Sequence, residues 1–120
     1  MLEYNYYTGY PKDIICNLKR SITQYANNAS CIKIGITNNP KIRWNRHKRN
    51  YPNWTKMVVV YETSSINFTR KIEAELIEWT WEREESENYI GGGGGNFAEG
   101  YQYVYFLIEY WYYKYLKRNI

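Results

Sequence analysis

The sequence predicts a small α/β domain, and three observations point there. Met57-Val58-Val59-Val60-Tyr61 is a continuous β-branched and aromatic run of the kind buried on both faces in a central strand. Residues 13–28 and 67–85 instead place their apolar side chains at intervals of three and four, the period of a helix with one face in a core. The chain has 120 residues, enough for one domain (1–120) with a modest core that needs no metal or disulfide.

In residues 1–12 four tyrosines accompany Gly9 and Pro11, which interrupt any regular element. Over 13–28, Asp13 can cap a helix whose inner face is Ile14, Ile15, Leu18, Ile22 and Tyr25, with Lys19 and Arg20 opposite. Cys31, Ile32, Ile34 and Ile36 make a short buried strand, and Gly35 leaves a gap where a backbone or a ligand can come close. Thr37-Asn38-Asn39-Pro40 is turn and cap chemistry, with the proline just inside the start of the next helix. That helix begins Ile42-Arg43-Trp44-Asn45-Arg46-His47, and a spacing of four puts Arg43 and His47 on one face with Arg46 beside it. An Arg and a His presented together next to a glycine-marked strand can clamp and polarise a phosphodiester.

Tyr51 to Trp54 reads as a turn before the Met57–Tyr61 strand. The helix over 67–85 carries two apolar stripes, Phe68-Ile72-Leu76-Trp79 and Ala74-Ile77-Trp81, with Glu75, Glu78 and Glu82 on the strip between them. Five glycines, Gly91 to Gly95, follow Asn88; they lack the strand before and the Lys-Ser/Thr after that a phosphate loop needs. The final strand, starting at Tyr101, has tyrosines at 101, 103 and 105, and a basic end follows with Lys114, Lys117 and Arg118.

Net charge is only +4, but between Asp13 and Glu62 there is no acid, while Lys19, Arg20, Lys33, Lys41, Arg43, Arg46, Lys48, Arg49 and Lys56 all fall there. A basic half of this kind is an electrostatic footprint for nucleic acid. Cys16 and Cys31 make no disulfide framework and, in their apolar contexts, read as buried thiols of a reducing compartment. No apolar run reaches the ~20 residues of a membrane span, and the first residues lack a signal-peptide layout, so an intracellular protein is expected. His47 is the single histidine, which excludes a His-only metal site or a Cys/His zinc cluster by count. No nucleophile elbow or Walker loop is present.

Lys33-Ile34-Gly35, Arg43 ten residues beyond Lys33, the Arg-Trp-x-Arg-His run, and the later Ala74-Glu75-Leu76-Ile77-Glu78-Trp79-Thr80-Trp81 occur in that order. Together they resemble the core of the GIY-YIG endonucleases, with Lys33-Ile34-Gly35 standing for YIG although Lys33 replaces its tyrosine. The resemblance implies a three-stranded antiparallel sheet sandwiched between helices. It implies a metal-dependent DNA endonuclease that uses Mg²⁺ or another divalent cation such as Mn²⁺. It makes Arg43 the arginine that holds the phosphate and Glu78 the metal-binding carboxylate, with Glu75 as the fallback. Asn88 becomes the structural asparagine, with Asn96 as competitor.

The family's opening GIY strand has no counterpart in the window before Lys33, where Ser21-Ile22-Thr23 sits in a helical stretch. The Tyr101 strand resembles that missing element, which implies a circular permutation with Tyr103 or Tyr105 as the active-site tyrosine. An ordinary added edge strand is the alternative.

In such a site Arg43 would donate two parallel hydrogen bonds to the phosphate. A tyrosine hydroxyl, helped by Lys33 or His47, would orient or deprotonate the attacking water. Gly35, Arg46, Lys48, Arg49 and Asn88 are candidates for contacting the nucleic acid. Cutting both strands with one active site per chain calls for a homodimer or two sequential nicks. The competing reading is a nucleic-acid-binding module that keeps the basic face without the chemistry.

Overall fold

The structure is a computed structural model that describes residues 1–80 and 100–110. The elements run β1 (Leu2–Tyr7), α1 (Pro11–Ala26), β2 (Ala29–Thr37), α2 (Pro40–Asn50), β3 (Lys56–Thr63), α3 (Ile66–Thr80) and β4 (Gln102–Tyr110). The four strands form one mixed sheet in the order β1-β3-β4-β2. β4 is antiparallel to both of its neighbours, and β1 is parallel to β3.

The α/β class expected from the sequence holds, but the sheet has four strands and is mixed, where three antiparallel strands were expected. The extra strand is Leu2–Tyr7, in the stretch read as interrupted by Gly9 and Pro11. Those two residues end the strand instead: Gly9 turns the chain at φ +110°, and Pro11 opens α1 at its first position. β1 lies at the sheet edge and is the most exposed strand, which explains why it carries no apolar run to announce it. β4 lies inside the sheet, between β3 and β2, and is therefore no added edge strand.

Alternation along the strands divides the molecule into two faces. Ile32 and Ile34 of β2, Val58 and Val60 of β3, and Val104, Phe106 and Ile108 of β4 pack against Ile14, Leu18, Ile22 and Ala26 of α1 and Ile72, Leu76 and Ile77 of α3. On the opposite face Met57, Tyr105 and Leu107 pack with Trp54, partly covered by Leu2, Cys31 and Trp44 of α2. β3 and β4 are covered on both sides, which is why their sequences read as continuous apolar runs. Burying each of the fully covered Leu, Ile or Val side chains contributes roughly 1.5–3 kcal/mol relative to leaving it in water.

The buried side of α3 is Thr69, Ile72, Glu73, Leu76, Ile77 and Thr80. Ala74 and Trp79, expected in the apolar stripes, are exposed instead. The helix is rotated because Thr69 and Thr80 return their hydroxyls to its own backbone, at 2.7 Å to Ile66 O and 2.8 Å to Leu76 O, and so enter the interior at little cost. Cys16 is exposed and Cys31 half-buried, so the two are not the buried thiols expected. Cys16 sits on the side of α1 turned away from Ile14, Leu18 and Ile22. Among the described residues no helix is long and apolar enough to cross a membrane.

Candidate phosphodiester-binding site

The β2–α2 junction builds the site. The backbone N–H of Asn39 donates to Thr37 Oγ1 at 3.0 Å, and Asn39 Oδ1 in turn accepts from the N–H of Ile42 at 3.2 Å, capping α2. Pro40 sits at the first helical position. This tight connection sets the first turn of α2 back over the end of β2, where Arg43 Nη1 donates to Ile36 O at 3.3 Å. One turn later, His47 Nε2 lies 2.8 Å from the Tyr105 hydroxyl, and the two rings meet edge to face at 5.6 Å.

Tyr105 occupies the β4 position directly opposite Gly35 of β2. A Cβ at position 35 would fall 2.9 Å from Tyr105 Cε1 and closer still to Cζ and the hydroxyl. Glycine there is therefore a steric requirement: the phenol lies across the bare backbone and reaches α2. Arg43 also donates a hydrogen bond to the phenol, so Tyr105 links the arginine to the histidine. When Nε2 of the neutral ring carries no proton, it accepts from the Tyr105 O–H.

Burial lowers the His47 pKa from 6.5 to about 4, and the neighbouring charges of Lys33, Arg43 and Arg46 act in the same direction. His47 is thus neutral at neutral pH and able to take a proton. Burial also pushes the Tyr105 phenol up; Arg43 and Arg46 pull it down, while the nearby Glu73 carboxylate raises it further.

Glu73 is the residue that sequence reasoning missed. It projects from the buried side of α3, only 8% exposed, and its Oε2 has no hydrogen-bond partner among the described residues. Burial lifts its pKa from 4.5 to about 7, against the opposing pull of Arg70. A buried carboxylate oxygen without a donor requires a physical explanation. A hard divalent cation supplies one, since Mg²⁺ keeps most of its waters and needs one or two carboxylates. Among the described residues Glu73 is thus the unpartnered buried carboxylate that could hold such an ion, and its pKa of about 7 leaves it part-protonated at neutral pH when no cation is bound. No group of three or more His, Cys, Asp or Glu side chains arranged for a metal occurs among the described residues. The signal for Glu73 was in the sequence: it is the acid flanked at helical spacing by Thr69, Leu76 and Ile77.

The other expected site residues are distributed as follows. Glu78 is exposed, five residues beyond Glu73 and so roughly 140° around the helix. It therefore faces away from the buried side of α3. Glu75 is half-buried and likewise turned away from the Glu73 position. Lys33 stands two residues before Gly35 on β2 and contributes positive charge at His47. Arg46 is exposed with its charge felt at both His47 and Tyr105. Tyr103, two residues before Tyr105 on the same side of β4, hydrogen-bonds to Glu62. Lys48 donates to Pro52 O at 2.7 Å and Trp54 O at 3.0 Å, pinning the α2–β3 loop. Arg49 is exposed. Asn88, Asn96, Trp81, Glu82, the glycine run and the basic C-terminal end lie outside the described residues.

The chain matches no known family model, no characterised protein and no solved structure.

Proposed function

We propose that the protein is a divalent-cation-dependent DNA endonuclease of the GIY-YIG type, with the opening strand of that fold supplied by β4. The observation that carries the reading is the Arg43–Tyr105–His47 unit seated on Gly35, with the unpartnered Glu73 carboxylate near enough for its charge to act on the phenol. The strand arrangement supports it as well. Leaving aside the edge strand β1, the remaining β3-β4-β2 strands are antiparallel, the arrangement the resemblance implies for three strands.

The chemistry follows from these groups. The Arg43 guanidinium binds the scissile phosphate and neutralises charge that grows on its oxygens in the transition state. Tyr105 receives a proton from the attacking water as its own phenolic proton passes to Nε2 of neutral His47. The water oxygen bonds to phosphorus, the P–O3′ bond breaks, and the 3′ oxygen takes a proton from solvent. His47 then returns its proton to bulk water. Glu73 is the carboxylate that would hold Mg²⁺ or Mn²⁺, whose charge would stabilise the departing oxygen. Lys33, in the place of the YIG tyrosine, adds its positive charge to the burial that keeps His47 uncharged.

The reading is tested by incubating the protein with plasmid and branched DNA in Mg²⁺ or EDTA, alongside Arg43→Ala, Glu73→Gln and Glu78→Ala. Metal-dependent cutting lost in the first two variants and kept in the third is the expected result. Loss in Glu78→Ala with retention in Glu73→Gln would return the metal to Glu78. Salt-sensitive binding with no turnover on any substrate would favour a non-catalytic nucleic-acid-binding module, the reading supported by Lys33 in the tyrosine position. Cleavage of both strands in one encounter would require a homodimer, which sedimentation on cleavable DNA would detect.

A further inference from the structure

A second concavity opens at the far end of β4. It has a volume of about 430 Å³, and its lining includes Gly9, Tyr10, Glu62, Phe68 and Tyr101. Tyr10 and Tyr101 are among the most exposed large side chains of the molecule, 62% and 59% accessible, so core packing does not account for them. Their setting is nevertheless built. Tyr10 meets Phe68 edge to face at 5.8 Å. The Tyr61 hydroxyl donates to Gly9 O, and Gly9 itself holds a positive φ that side chains rarely adopt. The rim is thus fixed by a buried tyrosine of β3, and among the described residues the aromatic rings line a cavity.

The cleft lies where β4 begins, and a track of alternate tyrosines leads from it along the strand to Tyr105. Tyr101, Tyr103 and Tyr105 alternate along the chain into β4, and Tyr101 precedes Tyr105 by four residues, ~13 Å at 3.3 Å per residue. Tyr103 between them pairs in register with Glu62 of β3; burial raises the Tyr103 pKa, and the charge and hydrogen bond of Glu62 act in the same direction. The two ends of the track have opposite charge. Lys33, Arg43 and Arg46 surround the Tyr105 end, while Glu62 marks the other. A phosphate is attracted to the first and repelled from the second. A nucleic-acid strand laid along it would therefore present its backbone to Arg43 and a base to Glu62.

We propose that the cleft holds an unpaired nucleobase a few nucleotides from the scissile phosphate, and that guanine is the base it accepts best. This rests on the nuclease reading above and adds the substrate class: strands with an overhang, flap or bubble. Exposed aromatic rings stack on any base. The carboxylate supplies the choice. Glu62 already accepts from Tyr103 but has acceptor sites to spare, and guanine offers N1–H and the N2 amine side by side to a carboxylate fork. Within a duplex both donors are engaged by cytosine, so the base must be unpaired to enter.

The test measures binding by fluorescence anisotropy in EDTA, where cleavage does not intervene. The probes are a short blunt duplex and the same duplex with a single-stranded overhang of guanosine, inosine (which lacks the N2 amine) or adenosine. Wild type is expected to prefer the guanosine overhang to the blunt duplex by roughly 5- to 150-fold, the range that stacking of one base corresponds to. Tyr10→Ala and Tyr101→Ala should lose most of that preference, Tyr101→Phe should keep it, and all three should bind the blunt duplex as wild type does. Glu62→Gln should level guanosine with adenosine. No overhang preference, or a preference unchanged in both alanine variants, would overturn the proposal. A guanosine preference unchanged in Glu62→Gln would overturn the base assignment. An overhang preference that the variants remove, in a protein that cuts nothing in Mg²⁺, would uphold the cleft and reject the nuclease.

Discussion

The two faces of the sheet are lined by alternate residues of the same strands, yet they are built on different terms. On the α1/α3 face, Ile34 of β2 stands opposite Phe106 of β4, and aliphatic and aromatic side chains close over both. One residue along, on the α2 face, Gly35 stands opposite Tyr105, and the volume a side chain would fill is given to a phenol ring. The first face is stabilised by area removed from water. The second gives up packing for geometry: a missing Cβ, a helix start fixed by Asn39, and two hydrogen bonds to one phenol oxygen. The outward half of each strand carries the polar arrangement, and the inward half supplies a rigid base for it.

Substitutions on the two faces should therefore behave differently. Leu76→Ala, on the aliphatic face, should destabilise the fold by about 2–5 kcal/mol in urea or thermal unfolding. Its cleavage rate per folded molecule should stay near wild type; a selective loss of rate would mean the faces are not independent. Arg43→Ala should show the converse, a cleavage loss of ~10²–10³-fold with a small change in melting temperature. Gly35→Ala joins the two effects, because the new methyl must displace the Tyr105 ring. It should cost about 1–3 kcal/mol in stability and impair cleavage by moving the phenol.

The pH dependence of stability sharpens the contrast further. His47 has its folded pKa lowered from 6.5 to about 4, so it binds fewer protons than in the unfolded chain across that window. Its contribution is present above 6.5 and is lost as pH falls toward 4. Glu73 has its folded pKa raised from 4.5 to about 7, so its contribution is present below 4.5 and is lost as pH rises through 7. The two slopes oppose each other over most of the same range. Melting curves between pH 4 and 7, taken without divalent cations, should therefore be flatter for wild type than for either variant. Glu73→Gln should steepen the rise with pH, and His47→Gln should turn it into a fall. Parallel curves for all three proteins would argue against the buried, uncompensated state of both groups. The smallest effect is expected for Glu78→Ala, a change within ~0.5 kcal/mol and no loss of cleavage, as befits an exposed helix position.

Much of this architecture was legible in the residues, for identifiable reasons. Met57–Tyr61 and the Ile32–Ile34–Ile36 alternation announced their strands because burial leaves a periodic apolar record. Thr37-Asn38-Asn39-Pro40 announced the start of α2 because capping depends on local chemistry. Arg43 and His47 were paired by helical spacing alone, and the structure does bring both to Tyr105. β1 was hidden because an exposed edge strand need not alternate. Glu73 was hidden because a polar residue on a helix is ordinarily assigned to the solvent side, and only the rotation of α3 set by Thr69 and Thr80 places it inside. Which of Tyr103 and Tyr105 lies opposite Gly35 is a matter of register, and no local signal encodes it.

The position of β4 also has a consequence for how the molecule comes into being. β4 is the last described strand in the chain, yet it sits between β3 and β2, so every residue pair that joins those two halves of the sheet is far apart in sequence. During synthesis, β2 and β3 must wait with unpaired edges until β4 emerges, which makes for slow closure and an aggregation-prone interval. The same delay is protective. Tyr105 arrives on that strand, so the Arg43 and His47 already on the nascent chain remain without the phenol that connects them. A partly made chain would carry its basic half well before the Arg43, Tyr105 and His47 contacts exist, and those contacts would form together with the completed sheet.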